Sequence, residues 1–162
     1  MSAFATILAT LVAMNFFKDW RDRYNSRFFE KLKDKFAELY SVLEFRLEFY
    51  FQELKNNENI NNSKIRFREA RISFNELSNE IDYYEKILNE FQDDKKNLRE
   101  NLEKVKKSLN DVNKILNYKS ERSKNYNYVV NIGLDEILLE LENDKTILIR
   151  DINSIILTYL KK

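Results

Sequence analysis

The scarcity of helix-breaking residues constrains this chain more than any other feature. Its 162 residues contain no proline and a single glycine, Gly133. These two residue types most often end helices and form the turns between strands. Long uninterrupted helices are therefore expected, and the length suits one domain with its own core.

The first helix is predicted from apolar residues that recur at steps of three and four over residues 24–54. This spacing is typical of an amphipathic helix. Since no breaker precedes it, we predict one helix from about Ser2 to Lys55, roughly 80 Å long. Residues 55–64 are rich in asparagine, whose side chain competes for backbone hydrogen bonds, and they predict a loop.

A strict apolar heptad covers residues 70–116 and is interrupted only by Lys95. Two helices joined by a turn have no reason to share one phase, so the preserved register favours a single helix over about 64–118. We therefore predict an all-α fold, an elongated antiparallel bundle or coiled coil of three long helices. The alternative is a four-helix bundle with a turn near residues 92–97, where two aspartates suit a helix N-cap.

A second heptad begins at about Leu134 and predicts the last helix. Asp135 and Glu136 suit the positive end of its dipole. The apolar face is wide, so we expect this helix to lie between two neighbours.

Two lysines, Lys95 and Lys145, occupy heptad positions where an apolar residue is expected. A polar residue at such a seam position can fix register or partner choice, and a facing carboxylate is needed if it is buried. The other interpretation is that each lysine extends along its aliphatic stem to solvent.

The N-terminal residues form a candidate membrane anchor. Residues 2–17 carry no charge, and as a helix they span roughly 24 Å, short of the ~30 Å hydrocarbon core. The stem of Lys18 and the indole of Trp20 extend the usable length. We therefore divide the chain into an apolar segment, residues 1–20, continuous with helix one, and a helical bundle, residues 21–162.

Small side chains recur on this apolar segment, and in a membrane they allow helices to approach closely. Seven basic residues follow between positions 18 and 35, so the bulk of the chain is predicted to be cytoplasmic. The predicted membrane or oligomer face comprises Ala5, Thr6, Ala9, Thr10, Ala13 and Trp20. The alternative is a soluble cytoplasmic protein in which residues 2–17 are buried in the bundle or in an oligomer.

The second half of helix one is unusually aromatic. Phe45, Phe49 and Phe51 cannot all share the face of Leu43 and Leu47. Either the bundle surrounds these rings or they form a docking surface for a protein partner, since aromatic anchors dominate interface energies.

The composition argues against most enzyme classes. The chain has no histidine and no cysteine, which removes the usual general base and the commonest metal ligands. No enzyme activity, cofactor, metal or small-molecule substrate is predicted. The net charge of +1 and the absence of a recognisable module argue against nucleic acid as a partner.

These observations favour a non-enzymatic, membrane-anchored helical scaffold or assembly protein that acts through coiled-coil contacts with a protein partner or with other copies of itself. The alternative is a soluble helical-bundle adaptor or complex subunit with its N-terminal segment buried. A third hypothesis is a small pore-forming or membrane-disturbing effector, since short self-associating spans can line pores.

Overall fold

The computed structural model describes residues 2–56, 60–90, 96–117 and 134–160, with the side chains of residues 2–9, 56, 60, 61, 117 and 134 outside that description. The helices are α1 (Ser2–Asn56), α2 (Ile60–Glu90), α3 (Lys96–Asn117) and α4 (Leu134–Leu160). No strand occurs within these ranges, so the all-α prediction is confirmed.

The helices form a ring of four. Helix α1 packs against α2 and α4, and α3 packs against the same two helices from the opposite corner. Tyr159 stacks on Phe29, and Lys145 lies near Glu44, so α4 runs antiparallel to α1. Phe36 contacts Tyr84, and Tyr50, further along α1, contacts Phe67, which comes earlier on α2. Helices α1 and α2 are therefore also antiparallel. This is the up-down arrangement of a four-helix bundle.

The predicted single helix over residues 64–118 is wrong, and the four-helix alternative describes the fold. Helices α2 and α3 lie side by side and antiparallel. Lys106 Nζ lies 2.6 Å from Glu85 Oε2, and Arg71 Nη1 donates to the Leu116 carbonyl at 2.8 Å. Each helix needs its own inward stripe, so two helices can share one heptad phase without being continuous.

The apolar stripes converge on one continuous core. Most of the predicted heptad positions of α2, α3 and α4 are buried, and α4 contacts two neighbours as its wide apolar face predicts. The side chains that are at most 1% exposed include Phe36, Leu43 and Leu47 from α1, Leu77, Ile81 and Leu88 from α2, Val105 and Leu116 from α3, and Leu141, Leu148 and Ile152 from α4.

The loop predicted over residues 55–64 is largely helical. Helix α1 continues to Asn56 and α2 begins at Ile60, so Ser63 lies inside α2 and is buried. The low helix propensity of asparagine amounts to only a few tenths of a kcal/mol per residue, and packing of the flanking stripes outweighs it.

Helix α1 is much longer than its partners. Among its described side chains the first that is buried is Ser26, and those from Thr10 to Arg21 are all exposed. We call residues 2–25 the projecting segment, which is roughly 36 Å long. The predicted continuity of helix one from Ser2 into the bundle is confirmed.

The core assignment predicts a contrast between two leucines of α4. Leu148 is fully buried and Leu139 is 63% exposed. We expect Leu148→Ala to lower the free energy of unfolding by about 2–5 kcal/mol, because it leaves a cavity among three helices. Leu139→Ala should change it by less than about 0.5 kcal/mol. Urea denaturation followed by circular dichroism measures both, and equal losses would contradict this packing.

Candidate interaction surface

The projecting segment carries a dense set of exposed apolar side chains. Phe16 and Phe17 are 76% and 73% exposed, more than any large hydrophobic residue in the described part of the bundle. The neighbouring positions continue the same surface. Its described members are Leu11, Val12, Met14, Phe16, Phe17, Trp20 and Tyr24.

The area of this surface exceeds what a solitary protein usually exposes. An aromatic side chain can bury ~150–250 Å². About two thirds of each of the four rings is exposed, so together they present roughly 400–700 Å². The largest apolar patch on a typical monomer is ~300–600 Å² and is often functional. The aliphatic side chains of Leu11, Val12 and Met14 add further area. The segment is therefore the strongest candidate for an interaction surface among the described residues.

An aromatic pair marks the end of the apolar stretch. Trp20 and Tyr24 lie one helical turn apart, with ring centroids separated by 5.7 Å and planes inclined by 22°. Indole and phenol rings have an apolar body and a polar tip, so they suit a boundary between an apolar phase and water. The pair lies between the charge-free residues 2–17 and the bundle.

The charges that follow are mixed, with basic residues in excess. Positions 18–35 hold seven basic and four acidic side chains. Lys18, Arg21, Arg23 and Arg27 are all exposed. Arg21 Nε lies 3.9 Å from Oδ1 of the partly buried Asp22, a long and weak contact that leaves most of the positive field intact.

The predicted small-residue face is only partly described. The side chains of Ala5, Thr6 and Ala9 lie outside the described residues, whereas Thr10, Ala13 and Trp20 are exposed. The side chains of residues 10–17 are all exposed. The alternative that residues 2–17 are buried in the bundle is therefore wrong for this described portion.

The predicted docking aromatics separate into two groups. Phe45 is 59% exposed and lies 4.6 Å from Phe49 between ring centroids, and the Arg66 guanidinium lies 5.2 Å above the Phe49 ring. Phe51 is 1% exposed and belongs to the core, so its prediction as a docking residue is wrong. It lies four residues after Leu47, which places both on the inward face of α1.

Only one of the two predicted polar seam positions, Lys95 and Lys145, is described by the structure. Lys95 lies outside the described residues, and Lys145 is mostly buried between two carboxylates. Its Nζ is 3.7 Å from Glu44 Oε2 and also bonds to Glu142. Burial lowers the pKa of Lys145, but the bond to Glu142 and the nearby Glu44 raise it above its usual range. Lys145 therefore links α4 to α1 as a cation.

A buried polar cluster beside Lys145 was missed by sequence reasoning. It comprises Tyr40 and Glu44 from α1, Ser108 from α3 and Asp144 from α4. The sequence does contain a signal. Asp144 lies three residues after Leu141 and four before Leu148, which is as good a seam position as that of Lys145. The heptad alone does not decide which of the two adjacent residues faces the core.

A second polar layer lies two helical turns further along α4, at Asp151. Asn101 Nδ2 donates to Asp151 Oδ2 at 3.0 Å, so this buried carboxylate has a partner on α3. The hydroxyl of Tyr84 has none among the described residues, and burial together with Asp151 raises the Tyr84 pKa beyond its usual range. An open cleft of about 670 Å³ runs beside this layer between α3 and α4.

No protein family, curated protein or solved structure matches this chain. Within the described ranges, no group of three or more carboxylates is placed to hold a metal ion.

No helix in the described part of the chain combines the length and the apolarity needed to cross a bilayer.

The exposure of the projecting segment predicts that it contributes little to the stability of the bundle. Deleting residues 2–17 should leave the free energy of unfolding within about 0.5 kcal/mol of the full chain. Phe29→Ala, which removes a ring 1% exposed at the start of the bundle, should lower it by about 3–5 kcal/mol. Urea denaturation of both variants measures this, and collapse of the truncated chain would place the segment in the core.

Proposed function

We propose that this protein is a non-enzymatic helical scaffold that attaches to a membrane by burying the apolar part of its projecting segment, residues 2–17. The four-helix bundle then stands on the cytoplasmic side and offers its helical faces to protein partners. The observation that carries the proposal is the projection of these residues beyond the bundle, with every described side chain from Thr10 to Phe17 exposed.

A membrane suits this segment because the apolar surface surrounds the helix. Phe16 and Phe17 point about 100° apart, and Leu11 with Met14 occupy the other side. A partner helix covers one stripe, whereas lipid covers the whole circumference. The backbone is already hydrogen-bonded within the helix, so its insertion leaves few polar groups unsatisfied.

The apolar area supplies enough free energy for attachment. At about 25 cal/mol per Å², burial of the exposed apolar side chains within residues 10–17 (Leu11, Val12, Met14, Phe16 and Phe17) yields on the order of 10 kcal/mol before the opposing cost of immobilising the chain. Insertion to the depth of one leaflet is sufficient, and the proposal does not require a crossing. A helix of 16 residues has the length for such partial or tilted insertion.

The residues at the boundary support an orientation. Trp20 and Tyr24 have the chemistry of an interfacial belt, and the Lys18 stem can extend to the headgroups. The basic excess over positions 18–35 then faces the anionic cytoplasmic leaflet. This arrangement leaves the bundle in water.

The scaffold role is supported by what the bundle exposes and by its composition. Its core is filled by packed apolar side chains, and the chain has neither histidine nor cysteine. The surface instead carries exposed aromatics such as Phe45 and Tyr83, together with many charged groups. Such faces suit protein contacts more than covalent chemistry.

Trp20 is the only tryptophan, so its fluorescence reports directly on attachment. With vesicles containing anionic lipid, the full chain should float with the lipid, and Trp20 emission should shift to shorter wavelength. Brominated lipids should quench that emission at headgroup depth. The double substitution Phe16→Glu and Phe17→Glu should reduce the vesicle-bound fraction at least tenfold, because it places two charges in hydrocarbon.

Leu139→Glu is the matched control, since it adds a charge at an exposed apolar site of the bundle and should leave flotation unchanged. Recovery of the wild-type chain in the aqueous fraction with an unaltered Trp20 spectrum would refute membrane attachment. Leakage of a trapped dye at low protein load would instead favour a membrane-disturbing effector.

A further inference from the structure

The centre of the bundle contains a tyrosine whose hydroxyl is buried without compensation. Tyr40 is fully buried, and its hydroxyl has no hydrogen-bond partner among the described residues. Burial, followed by the nearby Asp144 and Glu44, raises the Tyr40 pKa far above its usual range. The phenol therefore remains protonated and faces two carboxyl groups from different helices.

Asp144 is the deepest of the carboxyl groups near this phenol. It is 6% exposed, and its Oδ2 has no hydrogen-bond partner within the described part of the chain. Burial raises the pKa of Asp144 to about 6, and Glu140 adds to the rise. The Ser108 hydroxyl lies beside the carboxyl and opposes the rise, but it does not reach hydrogen-bonding geometry with any described group.

The charges around Asp144 do not neutralise it. On α1 the facing groups are Tyr40 and Glu44, and on α3 the neighbouring group is Ser108. The nearest cation on its own helix, Lys145, is engaged by Glu44 and Glu142. The charged side chains of this stretch of α3, Lys104, Lys107 and Asp111, are exposed. Helix α2 lies diagonally across the bundle and does not pack against α4.

We propose that Asp144 is a proton-binding switch within the bundle core, which takes up one proton on mild acidification and thereby tightens the contact between α1, α3 and α4. The protonated carboxyl gains an O–H donor, while the neighbouring hydroxyl oxygens of Tyr40 and Ser108 can accept. Protonation also removes a charge that is costly to bury. This inference concerns the bundle and is independent of membrane attachment.

The direction of the pH effect follows from linkage. The pKa of Asp144 is about 6 in the folded protein, above its ordinary value of 3.8, so the folded state binds more protons between these values. The ionised form of Asp144 therefore lowers the free energy of unfolding, and this penalty has its full value above about pH 6. The penalty is progressively relieved as the pH falls from about 6 toward 4. The folding equilibrium constant gains up to about tenfold per pH unit from this one group.

The test compares the full chain with Asp144→Asn by urea denaturation at pH 7.5, 6.5, 5.5 and 4.5. The ratio of the variant's folding constant to that of the wild type should be constant above pH 6.5. Between pH 6.5 and 4.5 it should decrease by a factor of about 10 to 100. Because the pH dependence of the ratio is measured, the result holds whether the amide raises or lowers the absolute stability.

Asp151→Asn is the matched control. Asp151 is also 6% exposed and lies on the same helix, but its carboxylate accepts a hydrogen bond from Asn101. Its ratio to wild type should vary by less than about threefold over the same range. If the Asp144→Asn ratio is equally flat, the switch is refuted.

Carbon-13 NMR of the aspartate carboxyl carbons gives a second readout that needs no unfolding. One resonance, assigned to Asp144 by its absence from Asp144→Asn, should titrate with a midpoint near pH 6. A midpoint below 4.5 would overturn the proposal.

Discussion

Mutual burial of one apolar stripe per helix is the constraint on which this structure depends. Four stripes close around a common core, and each helix has two neighbours. Among the described residues, helix α1 satisfies this constraint only from about Ser26 onward, close to the level at which Tyr159 of α4 stacks on Phe29. The projecting segment therefore keeps its apolar surface without a partner within the described chain. The bundle and the candidate interaction surface are two outcomes of the same rule, applied to helices of unequal length.

Much of this architecture follows from residue spacing. The limits of α1 and the start of α4 match the prediction, because no proline interrupts α1 and a clear apolar period begins at Leu134. The division between α2 and α3 was predicted only as the alternative, and the favoured single helix is wrong. A heptad records which face is apolar, and it carries no information on where the chain reverses. In the predicted loop over residues 55–64, residues 55, 56 and 60–64 are helical, because packing outweighs the low helix propensity of asparagine.

The site residues show where spacing fails. Phe45 and Phe51 are chemically identical and six residues apart, yet one is exposed and the other is buried. The difference depends on the rotation of α1 between two neighbours, which only the assembled bundle determines. Asp144 and Lys145 pose the same problem, since adjacent residues can both border a seam. Tertiary packing decides that Asp144 faces Tyr40, whereas Lys145 reaches toward Glu44 at the edge.

The continuity of α1 has a mechanical consequence. A single helix, free of glycine and proline, carries both Trp20 and the last core residues before Asn56. No helix-breaking residue lies at the junction, so the projecting segment is a rigid extension of the bundle's longest helix. The far tip at Asn56 is held about 54 Å from Trp20. A protein partner bound along α1 would therefore be held at a fixed distance from the projecting segment and in a fixed orientation relative to it.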